Sequence, residues 1–212
     1  MGENRGEQAI DEMEALSRTA ARFRPWPVRG KALPNLLFFT DPERTPDPEA
    51  VAERLPAESA VVFRAFGAPD AAMRGARLRE ITRRRGLTLL VGADAGLALA
   101  IGADGVHLPE RLAAEAPGLR AAHPDWLITL AAHDAAAARS GAALGVDALV
   151  VSPVFPSRSP SAGARLGVEG LERIVQAVET PVYALGGVRA DTVERLLDTG
   201  IVGIAAVEAL SA

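Results

Sequence analysis

The residues in this chain that could do chemistry sit at the ends of apolar runs. His133 closes the run Thr129-Leu130-Ala131-Ala132. An imidazole titrates near neutrality, so it suits proton transfer. In extended backbone, alternate side chains share a face, which puts Thr129, Ala131 and His133 together, with Ile128 and Leu130 opposite. Gly186 and Gly187 follow the run Pro181-Val182-Tyr183-Ala184-Leu185. Paired glycines let a ligand oxygen reach main-chain N–H groups without meeting a Cβ, and such nests bind anions, phosphate above all. A third run leads into Ser152-Pro153-Val154-Phe155-Pro156-Ser157-Arg158-Ser159-Pro160, a loop able to close over the same place. Arg64 ends a fourth, and its planar fork fits a carboxylate or a phosphate. The expected ligand is a phosphate-carrying small molecule contacted by Arg64, Ser152, Ser157, Arg158, Gly186, Gly187, Val207 and Glu208. Glu208 is the discordant member, because a carboxylate opening the last helix repels a phosphate bound there.

Each of these residues also has a plainer reading. His133 can cap the helix that Asp134 opens. His107, inside an apolar run, reads as a core histidine, and His123, before Pro124, as a surface residue. Arg64 fits an ion pair with Asp41 or Asp94 as well as a ligand clamp. Arg74, Arg77, Arg79 and Arg83–Arg85 read as a solvated helix face.

The elements that must position these residues alternate strictly. Short apolar runs rich in β-branched residues read as strands at Leu36–Thr40, Ala60–Ala65, Leu87–Gly92, Gly105–Leu108, Leu127–His133, Ala148–Val154, Val182–Gly186 and Val202–Ala206. Helical patterns lie between them at Pro48–Leu55, Asp70–Arg85, Ala95–Ile101, Arg111–His123, Asp134–Leu144, Val168–Val178 and Arg189–Thr199. Strand-then-helix alternation implies parallel strands with right-handed crossovers. Eight repeats predict an α/β fold, a closed (β/α)8 TIM barrel, with an open doubly wound sheet as the alternative. Such barrels carry their sites at the C-terminal mouth, with phosphate held by the loops after strands seven and eight. No room remains for a full eighth outer helix after Ala206. An extra N-terminal helix over Gln8–Arg22, with Ile10, Met13, Leu16 and Ala20 on one face, is expected to cover the resulting gap. Residues 1–33 then form this helix and a linker in which Trp26 is a packing anchor, and residues 34–212 the barrel.

Composition narrows the function. The formal charge is −4, which argues against a nucleic-acid partner. There is no Cys, so disulfides, thiolate metal sites and a Cys nucleophile are excluded. Lys31 is the only lysine, so no chemistry after the first barrel strand can use one. The acidic N-terminus has no signal-peptide apolar region, and no run is long enough to span a bilayer. The expectation is a cytoplasmic protein with no membrane partner.

From about Leu36 to Leu210 the chain resembles the thiamine-phosphate synthase/TenI family of (β/α)8 barrels. The resemblance is carried by Phe39-Thr40-Asp41, Leu97-Ala98-Leu99-Ala100, Ala103-Asp104-Gly105-Val106-His107-Leu108, Ser152–Pro156, Ala184-Leu185-Gly186-Gly187-Val188 and Ile204-Ala205-Ala206-Val207. The synthase branch joins a pyrimidine pyrophosphate to a thiazole phosphate. The charge on its leaving group is neutralised by Mg²⁺ on carboxylates together with Lys or Arg. By resemblance, the metal-binding carboxylates fall on Ala93 and Leu112, and the lysines on Phe66 and on or near Pro160. Arg64 alone matches among the pyrimidine-site residues.

The resemblance therefore implies the thiazole tautomerase-like branch, which aromatises a thiazole phosphate carboxylate by moving a proton and needs no metal. His133 resembles the position of that branch's histidine, and the stretch Ser152–Pro160 with Leu166–Leu171 is closer to that branch. The expectation is a metal-independent isomerase without cofactor, with His133 as general acid/base. One alternative is a Mg²⁺-dependent synthase, whose site Asp94, Glu110 and Arg158 would have to rebuild. The other is a non-catalytic binding barrel, kept open by Glu208 where the family places a serine. Family members often form dimers, so the resemblance leaves a homodimer open, though no surface patch in the sequence points to one.

Overall fold

A computed structural model describes residues 3–157 and 164–211, with side chains in the first helix from Glu12 onward. The chain opens with α1 (Glu3–Ala20) and a hairpin of β1 (Pro27–Val28) and β2 (Lys31–Ala32). Eight parallel strands follow: β3 (Leu36–Phe39), β4 (Ala60–Phe63), β5 (Thr88–Gly92), β6 (Gly105–Leu108), β7 (Leu127–Ala132), β8 (Ala148–Val151), β9 (Val182–Ala184) and β10 (Gly203–Ala206). They close into a barrel in sequence order, with β10 paired to β3. The outer helices are α2 (Pro48–Arg54), α3 (Ala71–Arg85), α4 (Ala95–Ala100), α5 (Ala116–Ala122), α6 (Ala135–Ala142) and α7 (Gly167–Ala177). The chain is thus a (β/α)8 barrel with an extra N-terminal helix and, among the described residues, only a short turn after β10 where an eighth outer helix would lie.

Strand alternation sorts the core into two layers. Leu37, Phe39, Val62, Leu90, Val150, Tyr183 and Ala205 fill the barrel. Phe38, Val61, Leu89, Val106, Ile128, Leu149 and Ile204 face the helices. Both strand faces are buried, so the strands read as continuous apolar runs instead of alternating ones. Tyr183 can occupy the interior because its hydroxyl donates to the Pro34 carbonyl at 2.6 Å. Burial holds that phenol neutral by raising its pKa.

Two aspartates fasten the N-terminal end of the barrel. Asp104 accepts the Leu89 N–H at 2.8 Å and a bidentate pair from Arg79 at 2.7 and 2.9 Å. Asp147 accepts the Ile128 N–H at 2.8 Å and Arg29 at 3.0 Å, and also pairs with Arg120. Arg79 is therefore a tie between α3 and the sheet, and not part of the expected solvated face.

Several elements differ from expectation. The stretch Arg189–Thr199 forms only a 3₁₀ turn at Val193–Leu196. The Thr192 hydroxyl accepts the Arg189 N–H at 2.9 Å and donates to the Gly187 carbonyl at 3.0 Å, giving the backbone a local alternative to helix. The stretch Arg111–His123 splits into a 3₁₀ segment, Glu110–Glu115, and α5, with Pro117 in the first turn of α5. The expected last helix is a three-residue turn, Glu208–Leu210, too short to carry an appreciable dipole.

Residues 23–33 are more than a linker. Arg29 (φ 50°) and Gly30 (φ 78°) form the turn of the β1–β2 hairpin, the left-handed pair that two-residue hairpins require. Leu33 joins the interior core and Val28 packs on it, so the hairpin stoppers the N-terminal end of the barrel. Trp26 is 44% exposed and does not anchor this segment; Leu33 does.

In α1, Met13, Leu16 and Ala20 are buried, and the helix packs on β3, the 193–196 turn and the 208–210 turn. That is the gap left by the missing outer helix. The Asn35 side chain fixes its end by donating to the Ala20 and Phe23 carbonyls at 3.1 and 2.9 Å. The side chain of Ile10 lies outside the described residues.

Candidate active site

At the C-terminal mouth a cavity of about 500 Å³ is bounded by Phe39, Arg64, His107, Ala131, His133 and Ser152. Beside it a second cavity of about 550 Å³ runs over the loops after β9 and β10, along Gly186, Gly187, Val207 and Glu208. Arg44, Ser157, Leu185, Gly186 and Val207 line both. The mouth thus holds a central chamber and a distal one that share a wall.

His133 stands one residue beyond β7, at the rim of the central chamber. Its Nδ1 lies 2.7 Å from the Ser152 carbonyl oxygen and 3.4 Å from the Ser152 hydroxyl. A carbonyl only accepts, so Nδ1 carries the hydrogen, and in the neutral ring Nε2 then has the lone pair. Asp134 caps α6 with its own carboxylate, accepting the Ala136 and Ala137 N–H groups at 2.8 Å each. His133 is therefore not required as that helix's cap.

His107 forms the chamber floor. Its Nδ1 is 3.0 Å from the Thr129 hydroxyl, and its ring meets Phe39 edge-on at 4.9 Å between centroids. Burial pushes the imidazole down to about 3, and the charges of Arg64 and His133 act in the same direction. His107 is a partnered, neutral core histidine that also touches the chamber.

Arg64 makes the expected ion pair with Asp41 and also borders the central chamber. Its Nε donates to the Thr40 carbonyl at 2.6 Å, and its Nη2 lies 3.4 Å from Asp41. The guanidinium sits over Phe39 and Phe66, 5.6 and 5.2 Å from the ring centroids. Burial lowers its pKa to about 10, partly countered by Asp41, so it stays cationic at neutral pH. Asp41 in turn caps its loop through the Glu43 and Arg44 N–H groups and pairs with Arg44 at 2.8 Å. Burial raises its carboxyl pKa, but the hydrogen bonds from Arg44 outweigh that and hold it below the usual range.

In the distal chamber Gly186 (φ 92°) and Gly187 (φ 66°) are both left-handed. A Cβ on Gly187 would come within 2.5 Å of the Pro156 carbonyl oxygen, so the two loops touch only because this residue has no side chain. Glu208 faces the same chamber, 3.9 Å from the Arg44 guanidinium. Ser157 lines both chambers, and Arg158 lies outside the described residues.

The sequence reading missed Arg44 and Glu12. Arg44 follows Thr40-Asp41-Pro42 in the loop after β3, and a loop at the C-terminal end of a barrel strand was signal enough to include it. Glu12 lies on α1 and reaches a backbone group 178 positions away; nothing local announces it.

Comparison with known proteins fixes the family. The thiamine monophosphate synthase family model matches residues 36–210. The thiamine-phosphate synthase of Pyrococcus furiosus is 33% identical over 179 residues, which is 82% of this chain and 86% of that protein. The chain belongs to this family. A thiamine-phosphate synthase from Methanoregula boonei is 36% identical over 144 residues, covering 67% of each chain. The solved structure of a thiamine phosphate pyrophosphorylase from P. furiosus superimposes with a TM-score of 0.73 at 31% identity, over 84% of this chain and 88% of that one. The chain is a thiamine-biosynthesis barrel of the thiamine-phosphate synthase type.

Within the thiamine monophosphate synthase family, this chain has a poor donor set for Mg²⁺. Ala93 and Leu112 stand where resemblance implies carboxylates. Asp94 borders the central chamber, but its Oδ1 accepts the Leu97 N–H at 2.8 Å as the cap of α4. Among the described residues no three His, Asp or Glu side chains cluster as metal ligands do. At neither position where the resemblance implies a carboxylate for the ion does this chain carry one. No described helix is long and apolar enough to cross a membrane.

Proposed function

We propose that this barrel binds a thiazole phosphate carboxylate and moves a proton on its ring, as a metal-independent thiazole tautomerase. The observation that carries the reading is His133 with its Nδ1 hydrogen committed to the Ser152 carbonyl, which leaves Nε2 as a base at the chamber rim. Nε2 takes a proton from one ring position and the imidazolium returns it at another. Atoms and electrons balance without a co-reactant, and the product is the aromatic isomer. Arg64 offers the ligand carboxylate a cation, and its ties to Thr40 and Asp41 preset its position. The ring lies in the central chamber, against Phe39 and Ala131. The phosphate lies in the distal chamber, against the loop of Gly186 and Gly187.

A second reading, thiamine-phosphate synthase, is favoured by the names of the relatives and by Arg64, the matching pyrimidine-site residue. It requires Mg²⁺ and a pyrimidine pyrophosphate, and the donor set argues against it.

Calorimetric titration separates the two. The proposal expects thiazole phosphate carboxylate to bind alone, with an affinity indifferent to Mg²⁺ and to pyrimidine pyrophosphate. It further expects His133→Ala to lower isomerisation by about 100-fold or more while binding persists. Binding that requires both Mg²⁺ and the pyrimidine would overturn it in favour of the synthase.

A further inference from the structure

The distal chamber contains a carboxylate that does not come from the barrel. Glu12, on α1, lines this chamber, and its Oε2 accepts the Ala190 N–H at 2.9 Å. Ala190 lies in the loop after β9, three residues beyond Gly187, and lines the same chamber. To a backbone N–H, a carboxylate oxygen and a phosphate oxygen are the same kind of anionic acceptor.

The helix that delivers Glu12 is firmly seated. Leu16 and Ala20 are buried and Asn35 ties the Ala20 carbonyl that ends the helix and the Phe23 carbonyl just after it, so the carboxylate is presented at fixed range. The two described arginines that line the chamber already face other carboxylates. Arg44 is shared between Asp41 at 2.8 Å and Glu208 at 3.9 Å, and Arg189 lies 3.6 Å from Asp191. An incoming dianion therefore meets Glu12 both as a like charge and as the occupant of a donor.

We propose that Glu12 is a tethered stand-in for the ligand's phosphate, which holds the Ala190 N–H until a phosphate displaces it and so sets how tightly the distal chamber binds. The proposal rests on reading that chamber as the phosphate end. Displacement needs only rotation of the Glu12 side chain, so α1 stays docked. The result is discrimination: a ligand without a full phosphate cannot compete with a resident carboxylate.

The test is titration of the intact chain with inorganic phosphate, thiazole phosphate carboxylate and the dephosphorylated thiazole carboxylate. Glu12→Gln removes the charge and keeps the shape; Glu12→Ala removes both. Glu14→Gln changes the same net charge on the same helix, at an exposed residue paired with Arg18. Both Glu12 variants are expected to bind the two phosphate-bearing probes about tenfold more tightly than the parent, with no change for the dephosphorylated ligand or for Glu14→Gln. If parent and Glu12 variants bind phosphate equally, the stand-in is overturned and the phosphate end survives. Weaker binding by the variants would mean Glu12 supports the ligand, which also overturns it. If no phosphate-bearing probe binds any form, the proposal and the phosphate reading fall together.

Discussion

His107 and His133 line the same chamber, yet the surrounding atoms prepare them for different work. His133 is exposed at the rim with one nitrogen committed to a carbonyl. His107 is sealed between Thr129 and Phe39, and its pKa falls from 6.5 to about 3 because burial disfavours the cation. Between those two values the unfolded chain binds a proton that the folded ring refuses. Stability therefore falls as the pH drops through that window, with a slope of up to about 1.4 kcal/mol per pH unit from this one group. His107→Gln keeps a polar partner for Thr129 and does not titrate. Urea unfolding between pH 7 and pH 4 should show a shallower loss of stability for the variant; an unchanged slope would mean other groups dominate. At this scale the sequence exposed His133 and Arg64 because each terminates an apolar run, and His107 because a lone imidazole interrupts one. It could not show Glu12, whose partner is fixed only when the barrel closes.

The barrel strands were legible because both their faces are buried, so each is a short, uninterrupted apolar run bounded by polar or glycine residues. Helices α3, α6 and α7 were legible from their period. The stretch after β9 was not: it has helical composition, but the Thr192 hydroxyl takes over the local backbone groups. The hairpin was missed because its strands have two residues each, shorter than any alternation can register. Helix α1 was found from its apolar face, and its burial makes a clear demand. Leu16 is fully buried beneath it, so Leu16→Ala should lower unfolding free energy by about 2–5 kcal/mol in urea denaturation. A cost under about 1 kcal/mol would mean that α1 is a decoration and not the cover of the barrel's open flank.

Across the whole molecule, distant segments are tied through a few buried groups. Asp147, its carboxylate almost wholly buried, joins the hairpin through Arg29, the end of α5 through Arg120, and β7 through the Ile128 N–H. Asp147→Asn keeps the shape but leaves two guanidiniums without their counter-charge, and should cost about 3 kcal/mol in chemical denaturation. A near-neutral result would mean that hydrogen bonds to the amide carry the tie by themselves.

The stoppered end has a consequence for traffic. With His107 as the chamber's floor and Leu33 packed in the barrel core beneath, a molecule in the chamber leaves by the mouth through which it came. Arrival and departure share one corridor, so reactant and product must take turns, and neither can be pushed through by the other. The lingering product then becomes the natural brake on turnover, felt most when the reactant is scarce.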